Sequence, residues 1–369
     1  MKVIHILNEL KFSGAEIMYV DAASIFQAKG CELTVMATAN RLGEFAPYFE
    51  KAGYQLEHYP MPPLKNYFKR IKYYFSIIKF LKKEKYDVVH IHSSAARWGF
   101  SFCARVANIK AVYTFHNVFS SRFFTYPYHY LLRWSAKNIF NCQFHSISDS
   151  VYNNEIGFYK NKTAKIYNWY GNTRYYPAAD GEKKFLREKL GISEHTLVLI
   201  SVGGCSPVKR HVDIINAMPL ILKSIPDCLY IHLGEGCSEN EEIKLANDLG
   251  IDDRILFCGN QPDVRKYLIA SDIYLMPSRF EGIPITTIEA MACKITAILY
   301  DVPGLRDFNK DGENSMLIPQ NYLSLAQAVI KIDSNKIDAI EMAERAKLSV
   351  YELYSMTKNA TAIYDLYIS

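Results

Sequence analysis

The sequence predicts an α/β protein made of two doubly wound, parallel-sheet domains. Three observations lead there. The chain has 369 residues, about two domains at roughly 150 residues each. Short β-branched runs alternate with longer amphipathic stretches, the rhythm of strand–helix–strand units with helices on both sheet faces. That rhythm stops once, at 168–181 (NWYGNTRYYPAADG), a polar, aromatic, turn-forming stretch, and then resumes.

Before the break, VIHIL (3–7) reads as a strand leading through a Gly-containing loop into a helix from about Ala15. ELTVMA (32–37), DVVHIH (87–92), AVYTF (111–115) and the run Phe144 to Ile147 continue the series. After it come TLVLISVGG (196–204), CLYIHLG (228–234), RILFCG (254–259), DIYLMPS (272–278) and ITAILY (295–300). The expected division is 1–172 as a first Rossmann-like domain, 173–350 as a second, and 351–369 as a terminal helix returning to the first. No internal repeat or low-complexity tract is present.

Composition removes several classes. Apolar residues are 49% of the chain, enough for a core in each half, and the net charge of +5 is mild. Eight cysteines at 31, 103, 142, 205, 228, 237, 258 and 293 form no CxxC pair, which argues against a zinc knuckle and for buried thiols in a reducing compartment. The apolar run in MKVIHILNEL is too short for a signal peptide, and no run approaches a membrane span. A cytoplasmic protein is expected.

Ligands of doubly wound sheets bind beyond the carboxyl ends of the strands. The most informative loop there is 278–293, SRFEGIPITTIEAMAC. Glu281, Gly282, Ile283 and Pro284 form a turn, and a helix follows to about Cys293, with Pro284 suited to its first position. Free amides and the positive dipole end at such an N-terminus form a ready place for a diphosphate. Glu289 lies a turn and a half into the helix. Two glutamates alone would read as decoration of a surface helix. The apolar, Gly-containing turn and the apolar residues behind it (Ile285, Ile288, Ala290, Met291, Ala292) favour a site, in which carboxylates accept hydroxyl pairs.

EGIPITTIEAMA, with seven residues between Glu281 and Glu289, resembles the signature of the retaining family-4 glycosyltransferases, which have the GT-B fold. FSGAE (12–16), KYDVVHIHS (85–93), TFHNV (114–118), VGGCSPVKRH (202–211), LGEGCSENEEIKLANDLGI (233–251) and RILFCGNQPDV (254–264) resemble further family segments in the same order. The resemblance implies two Rossmann-like domains facing across a cleft, the first binding acceptor and the second a nucleotide sugar. It implies that Glu289 accepts bonds from the ribose and Glu281 from the transferred sugar. Amides of Gly282, Ile283, Pro284 and Ile285 hold the distal phosphate and sugar, and Lys209 neutralises the leaving diphosphate. Gly203 and Gly204 form the phosphate loop. The family usually has arginine at the position of Gly204, and Arg210 is the candidate to replace its charge.

On the acceptor side, Ser13 and Gly14 follow the first strand, with Ser13 where the family has a glycine. His116 ends the AVYTF strand, and the resemblance implies that it orients the sugar or assists proton movement. His92 and His145 read as packing or minor acceptor contacts. No DxD motif is present, so the donor site is expected to need no metal. No clear carboxylate nucleophile appears, and a same-face displacement with retention is the implied route.

Residues 62–85 contain eight Lys or Arg, one Glu and six aromatics. On a helix, Lys65, Lys69, Lys72, Lys79 and Lys83 fall on one stripe, with Ile71, Tyr74, Phe75, Ile78 and Leu81 opposite and Phe68, Tyr73 and Phe80 flanking. Aromatics beside lysines favour an interfacial helix on an anionic membrane over a merely solvated face. FSSRFFTYPYHYLLRW (119–134) adds a second basic, aromatic element. No nucleic-acid module accompanies the charge.

The expected function is transfer of a sugar, UDP-linked as first guess, to a glycan or lipid-linked acceptor in bacterial surface polysaccharide synthesis. Two alternatives stand beside it: a nucleotide-sugar epimerase of similar architecture and a non-catalytic sugar-binding protein. A nicotinamide oxidoreductase would need G-x-G-x-x-G after the first strand, which NELKFSGAE does not supply.

Overall fold

The structure is a computed structural model that describes residues 1–119, 123–309 and 313–369. The chain divides into two units, 1–169 together with 356–369, and 170–355. The boundary falls three residues before the expected 172/173.

The first unit is built on a seven-stranded parallel sheet: β1 (Lys2–Leu7), β2 (Glu32–Ala37), β3 (Gln55–His58), β4 (Val88–Ile91), β5 (Lys110–Phe115), β6 (Gln143–Ser146) and β7 (Ala164–Lys165). Their spatial order is β3-β2-β1-β4-β5-β6-β7. The inner strands are buried almost throughout, as a sheet covered on both faces requires. β3 and β7 escape the sequence pattern because β3 is a four-residue edge strand without a buried residue and β7 has two residues.

The last helix is Met356–Ile368, not a segment from Tyr351, which lies inside the helix Lys336–Leu353. Met356–Ile368 belongs to the first unit, where Tyr367 is buried and its hydroxyl lies 2.6 Å from His90 Nδ1.

The second unit repeats the plan with six parallel strands: β8 (Leu197–Val202), β9 (Cys228–Leu233), β10 (Ile255–Phe257), β11 (Ile273–Met276), β12 (Thr296–Tyr300) and β13 (Met316–Ile318). Their order is β10-β9-β8-β11-β12-β13. Chain direction across the sheet reverses between β8 and β11, which are hydrogen-bonded neighbours. In doubly wound sheets the loops leaving two such strands flank the ligand-binding position at their carboxyl ends. One loop carries Gly203 to Arg210, the other Glu281 to Pro284.

Candidate functional site

The predicted residues fall in both units. In the second, β8 is fully buried and runs into Gly203 and Gly204. A turn follows, closed by Lys209 N–H donating to Ser206 O at 3.0 Å, and the helix His211–Ser224 begins. The β11 loop is tied to this turn by Arg279 N–H donating to Val208 O at 2.8 Å. Lys209 Nζ then reaches Glu281 Oε1 at 2.7 Å. Its aliphatic stem lies over Gly203, where a Cβ would stand 3.4 Å from Lys209 Cε.

Close backbone approach explains the glycines around this loop. Gly234 has φ +139, and a Cβ there would sit 2.1 Å from Gly203 O. A Cβ on Gly236 would sit 2.2 Å from Cys205 O, and one on Gly304 2.3 Å from Glu281 O. These contacts fix both loops from behind by main chain rather than by side chains. The LGEG segment signalled Gly234 and Gly236 in the sequence. Gly304 lacked any such signal.

The helix after the turn is Ile285–Ala292, buried along nearly its whole length, with Pro284 as its N-cap. Pro284 is therefore one position earlier than expected. It also has no amide hydrogen, so it cannot be among the phosphate-holding donors, which reduce to Gly282, Ile283 and Ile285. Glu289 is 5% exposed, and the Tyr175 hydroxyl bonds it. Burial first, and then the Glu289 charge, push the Tyr175 phenol well up, so it stays a neutral donor. Tyr175 lay inside the presumed linker and was missed for that reason.

Arg210 does not turn toward Gly204. It caps the helix His211–Ser224 in a left-handed conformation (φ 56), and its guanidinium pairs with Asp213 Oδ2 at 2.7 Å. Asp213 Oδ2 also accepts from Tyr300 Oη at 2.6 Å. The carboxylate holds the guanidinium three residues along its own helix, so the charge missing at Gly204 is not restored by Arg210 in this arrangement.

In the first unit, Ser13 and Gly14 are exposed where β1 gives way to the helix Gly14–Asp21. The Ser13 hydroxyl donates to the Glu16 carboxylate. His116 follows β5 and is half-buried. His116 Nε2 lies 3.1 Å from His92 Nδ1, and His92 Nε2 lies 3.0 Å from His5 Nδ1. A proton at either end of this file sets the tautomers of the others. Burial, then the neighbouring His145, hold His116 down to about 3, so it is a neutral imidazole at pH 7.

A second polar string crosses the same sheet. His145 Nε2 meets Ile166 O at 2.7 Å and must donate to it. Its Nδ1 therefore accepts from Thr114 Oγ1 at 3.1 Å. Thr114 in turn accepts from His90 Nε2 at 2.7 Å. His92 and His145 are thus parts of ordered networks rather than loose packing. Strand alternation revealed their direction, but not their partners.

The basic helix is Tyr67–Glu84, so Lys65 precedes it. Lys69, Lys72, Lys79 and Lys83 are exposed on it. Its core-facing arc is Tyr73, Ile77, Ile78 and Leu81, which corrects two expectations. Tyr73 is inside rather than flanking. Ile71 and Phe75, expected to pack, lie outside that arc and are 52% and 66% exposed, and Phe68 is 84% exposed. The lysine stripe therefore borders an apolar one. The second basic element, 119–134, lies partly outside the described residues, at 120–122. Among the described residues, no helix is long and apolar enough to cross a membrane.

Two protein families match the chain. The family described as Glycosyltransferase Family 4 matches residues 12–170, and that described as Glycosyl transferases group 1 matches residues 182–349. An Escherichia coli UDP-Gal:alpha-D-GlcNAc-diphosphoundecaprenol alpha-1,3-galactosyltransferase is 27% identical over 81% of this chain and 80% of its own length. A Bacillus anthracis N-acetyl-alpha-D-glucosaminyl L-malate synthase is 25% identical over 78% of this chain and 75% of its own. The solved structure of Anabaena HepE in complex with UDP and glucose superimposes with a TM-score of 0.83 at 19% identity, covering 99% of this chain and 98% of the other.

Proposed function

Since the chain is a glycosyltransferase with the GT-B fold, we propose that it moves a hexosyl group from a nucleotide-diphosphate sugar to a glycan or lipid-linked acceptor, with retention of anomeric configuration. The observation that carries this reading is the Lys209–Glu281 pair at the ends of β8 and β11, beside the N-terminus of the helix Ile285–Ala292. Lys209 neutralises the departing diphosphate, whose charge grows as the glycosidic bond breaks. The amides of Gly282, Ile283 and Ile285 add dipoles aimed at the same charge. Glu281 accepts from the sugar hydroxyls and holds Lys209 in place. Glu289 accepts from the ribose, with Tyr175 fixing its carboxylate. These groups supply the positive charge by themselves, so the diphosphate needs no metal.

A UDP donor is favoured by the donor named for the E. coli relative and by the UDP held in the Anabaena structure. A lipid-linked acceptor is favoured by that relative's acceptor and by the exposed apolar and lysine stripes of Tyr67–Glu84, which suit the inner face of an anionic membrane. His116, neutral at pH 7, accepts or relays a proton at the acceptor hydroxyl. The pathway proposed is assembly of a bacterial surface polysaccharide such as capsule, O-antigen or exopolysaccharide.

The test is a panel of nucleotide sugars with and without a lipid-linked sugar acceptor, with and without excess EDTA. Nucleotide release is followed, and the anomeric configuration of the product is read by NMR. Acceptor-dependent release that survives EDTA, with a retained product, is expected. Release without acceptor points to an epimerase, and no release at all points to a sugar-binding protein. An inverted product overturns the same-face route.

A further inference from the structure

Four side chains that the donor site does not use converge inside the second unit. Cys205 follows Gly204 in the β8 loop, His211 opens the helix His211–Ser224, His232 lies in β9, and Glu242 lies in the helix Glu239–Asp248. Each is about 1% exposed. One atom from each lies within 4.8 Å of all the others.

We propose that Cys205 Sγ, His211 Nδ1, His232 Nε2 and the Glu242 carboxylate form a tetrahedral site for a divalent transition ion of the zinc class.

The donor set is the mixed thiolate, imidazole and carboxylate set that zinc accepts. Bond lengths of about 2.0–2.3 Å place tetrahedral ligand atoms roughly 3.3–3.7 Å apart. Cys205 Sγ to His232 Nε2 is 3.8 Å, His211 Nδ1 to Glu242 Oε1 is 3.6 Å, and His232 Nε2 to Glu242 Oε2 is 3.3 Å. The two imidazole nitrogens are closer, at 2.8 Å, so the rings must part slightly to admit the ion. That separation also suits a shared proton, which is the competing arrangement.

The carboxylate decides between them. Glu242 Oε2 is buried and makes no aligned hydrogen bond among the described residues, although His232 Nε2 stands 3.3 Å away, and a proton shared along the line between the imidazoles leaves it so. A buried anionic oxygen is costly unless paired or on a metal. A buried carboxylate oxygen without a hydrogen bond, beside two imidazole nitrogens and a thiol, is the arrangement a cation completes. A pocket of about 220 Å³ bounded by Ser206, Arg210, Ser238, Glu241, Glu242 and Arg279 offers a route in.

Binding forms the metal–sulfur bond and releases the thiol proton to solvent, against the upward push that burial gives Cys205. The ion would join the β8 loop, β9 and two helices. It would thereby brace, from the side, the loop that carries Lys209. It touches no donor group, so this proposal stands apart from the catalytic reading.

The experiment measures metal in the full-length chain purified without chelator. The stripped chain is then titrated with Co(II), following the thiolate-to-cobalt charge-transfer band and the visible bands of tetrahedral cobalt. About one equivalent, displaced by Zn(II), is expected. Cys205→Ser should abolish the charge-transfer band. Glu242→Gln should keep the band but weaken Co(II) by more than about 10-fold, the least that lost support of a metal site costs. Circular dichroism confirms that each protein is folded. A folded wild-type chain that takes up neither ion, or a Cys205→Ser variant with an undiminished band, overturns the site.

Discussion

Replacing Lys209 with methionine tests the chemistry most directly. The ammonium sits 2.7 Å from Glu281 Oε1, with the two side chains 23% and 13% exposed. At an effective dielectric near 20, that pair has a gross attraction of about 6 kcal/mol, most of it offset by desolvation. The net loss in stability should fall in the ordinary range of about 0.5–3 kcal/mol. The kinetic loss should be larger. Removing one preorganised donor from a developing charge costs about 10²–10³ in kcat, some 2.7–4 kcal/mol. The bared Glu281 carboxylate would also repel the diphosphate and raise KM. Lys209→Met with Glu281→Gln should relieve that second effect but leave the loss in kcat. Steady-state nucleotide release, with a thermal melt as control, reads all three variants. A Lys209→Met enzyme with kcat within threefold of wild type would refute the assignment.

Three further outcomes are expected. Burial holds His5 to about 3 and His145 to about 4, against 6.5 for the free side chain. The unfolded chain then binds protons that the fold refuses, so stability is present above pH 6.5 and is lost below it by about 1.4 kcal/mol per pH unit per histidine. All three tryptophans (98, 134 and 169) lie in the first unit, so the urea midpoint of their fluorescence should fall between pH 7 and pH 5, and an unchanged midpoint counts against it. Gly234→Ala should cost about 3 kcal/mol through strain and backbone overlap, whereas Gly250→Ala, at φ +66 with nothing within 4 Å, should cost about 1 kcal/mol; equal melting shifts would contradict this. Lys72→Ala with Lys79→Ala should weaken binding to anionic liposomes by about 2 kcal/mol, roughly 30-fold, with less effect at high salt. Equal cosedimentation of variant and wild type would remove the membrane face.

Much of the candidate site was legible because strand ends in a parallel sheet are functional positions by construction. Once β8 and β11 are recognised, the loops 203–211 and 278–285 follow from where the strand runs stop, whereas the roles of Gly203, Lys209 and Glu281 within them are what the family resemblance implies. Glu289 follows from its place in an apolar helix. Arg210 was not legible, because any cation beside a phosphate loop looks available in sequence. Only the folded structure shows it claimed by Asp213, whose carboxylate Tyr300 also bonds. The basic helix was legible in charge but not in rotation. The arc that packs is chosen by its neighbours, and it left Ile71 and Phe75 outside.

The sequence by itself determined the alternating elements, the two parallel sheets and the turn EGIPITTIEAMA, since each rests on local periodicity and turn chemistry. Tertiary structure alone decided which polar groups meet. The files through His5, His92 and His116 and through His90, Thr114 and His145 join strands that are neighbours only in the folded sheet. Cys205, His211, His232 and Glu242 come from four elements at spacings that match no metal motif. They converge because β9 pairs with β8 and the helices His211–Ser224 and Glu239–Asp248 pack on each other. Periodicity fixes which face a residue takes, whereas the identity of its partner depends on chain distances that no local pattern encodes.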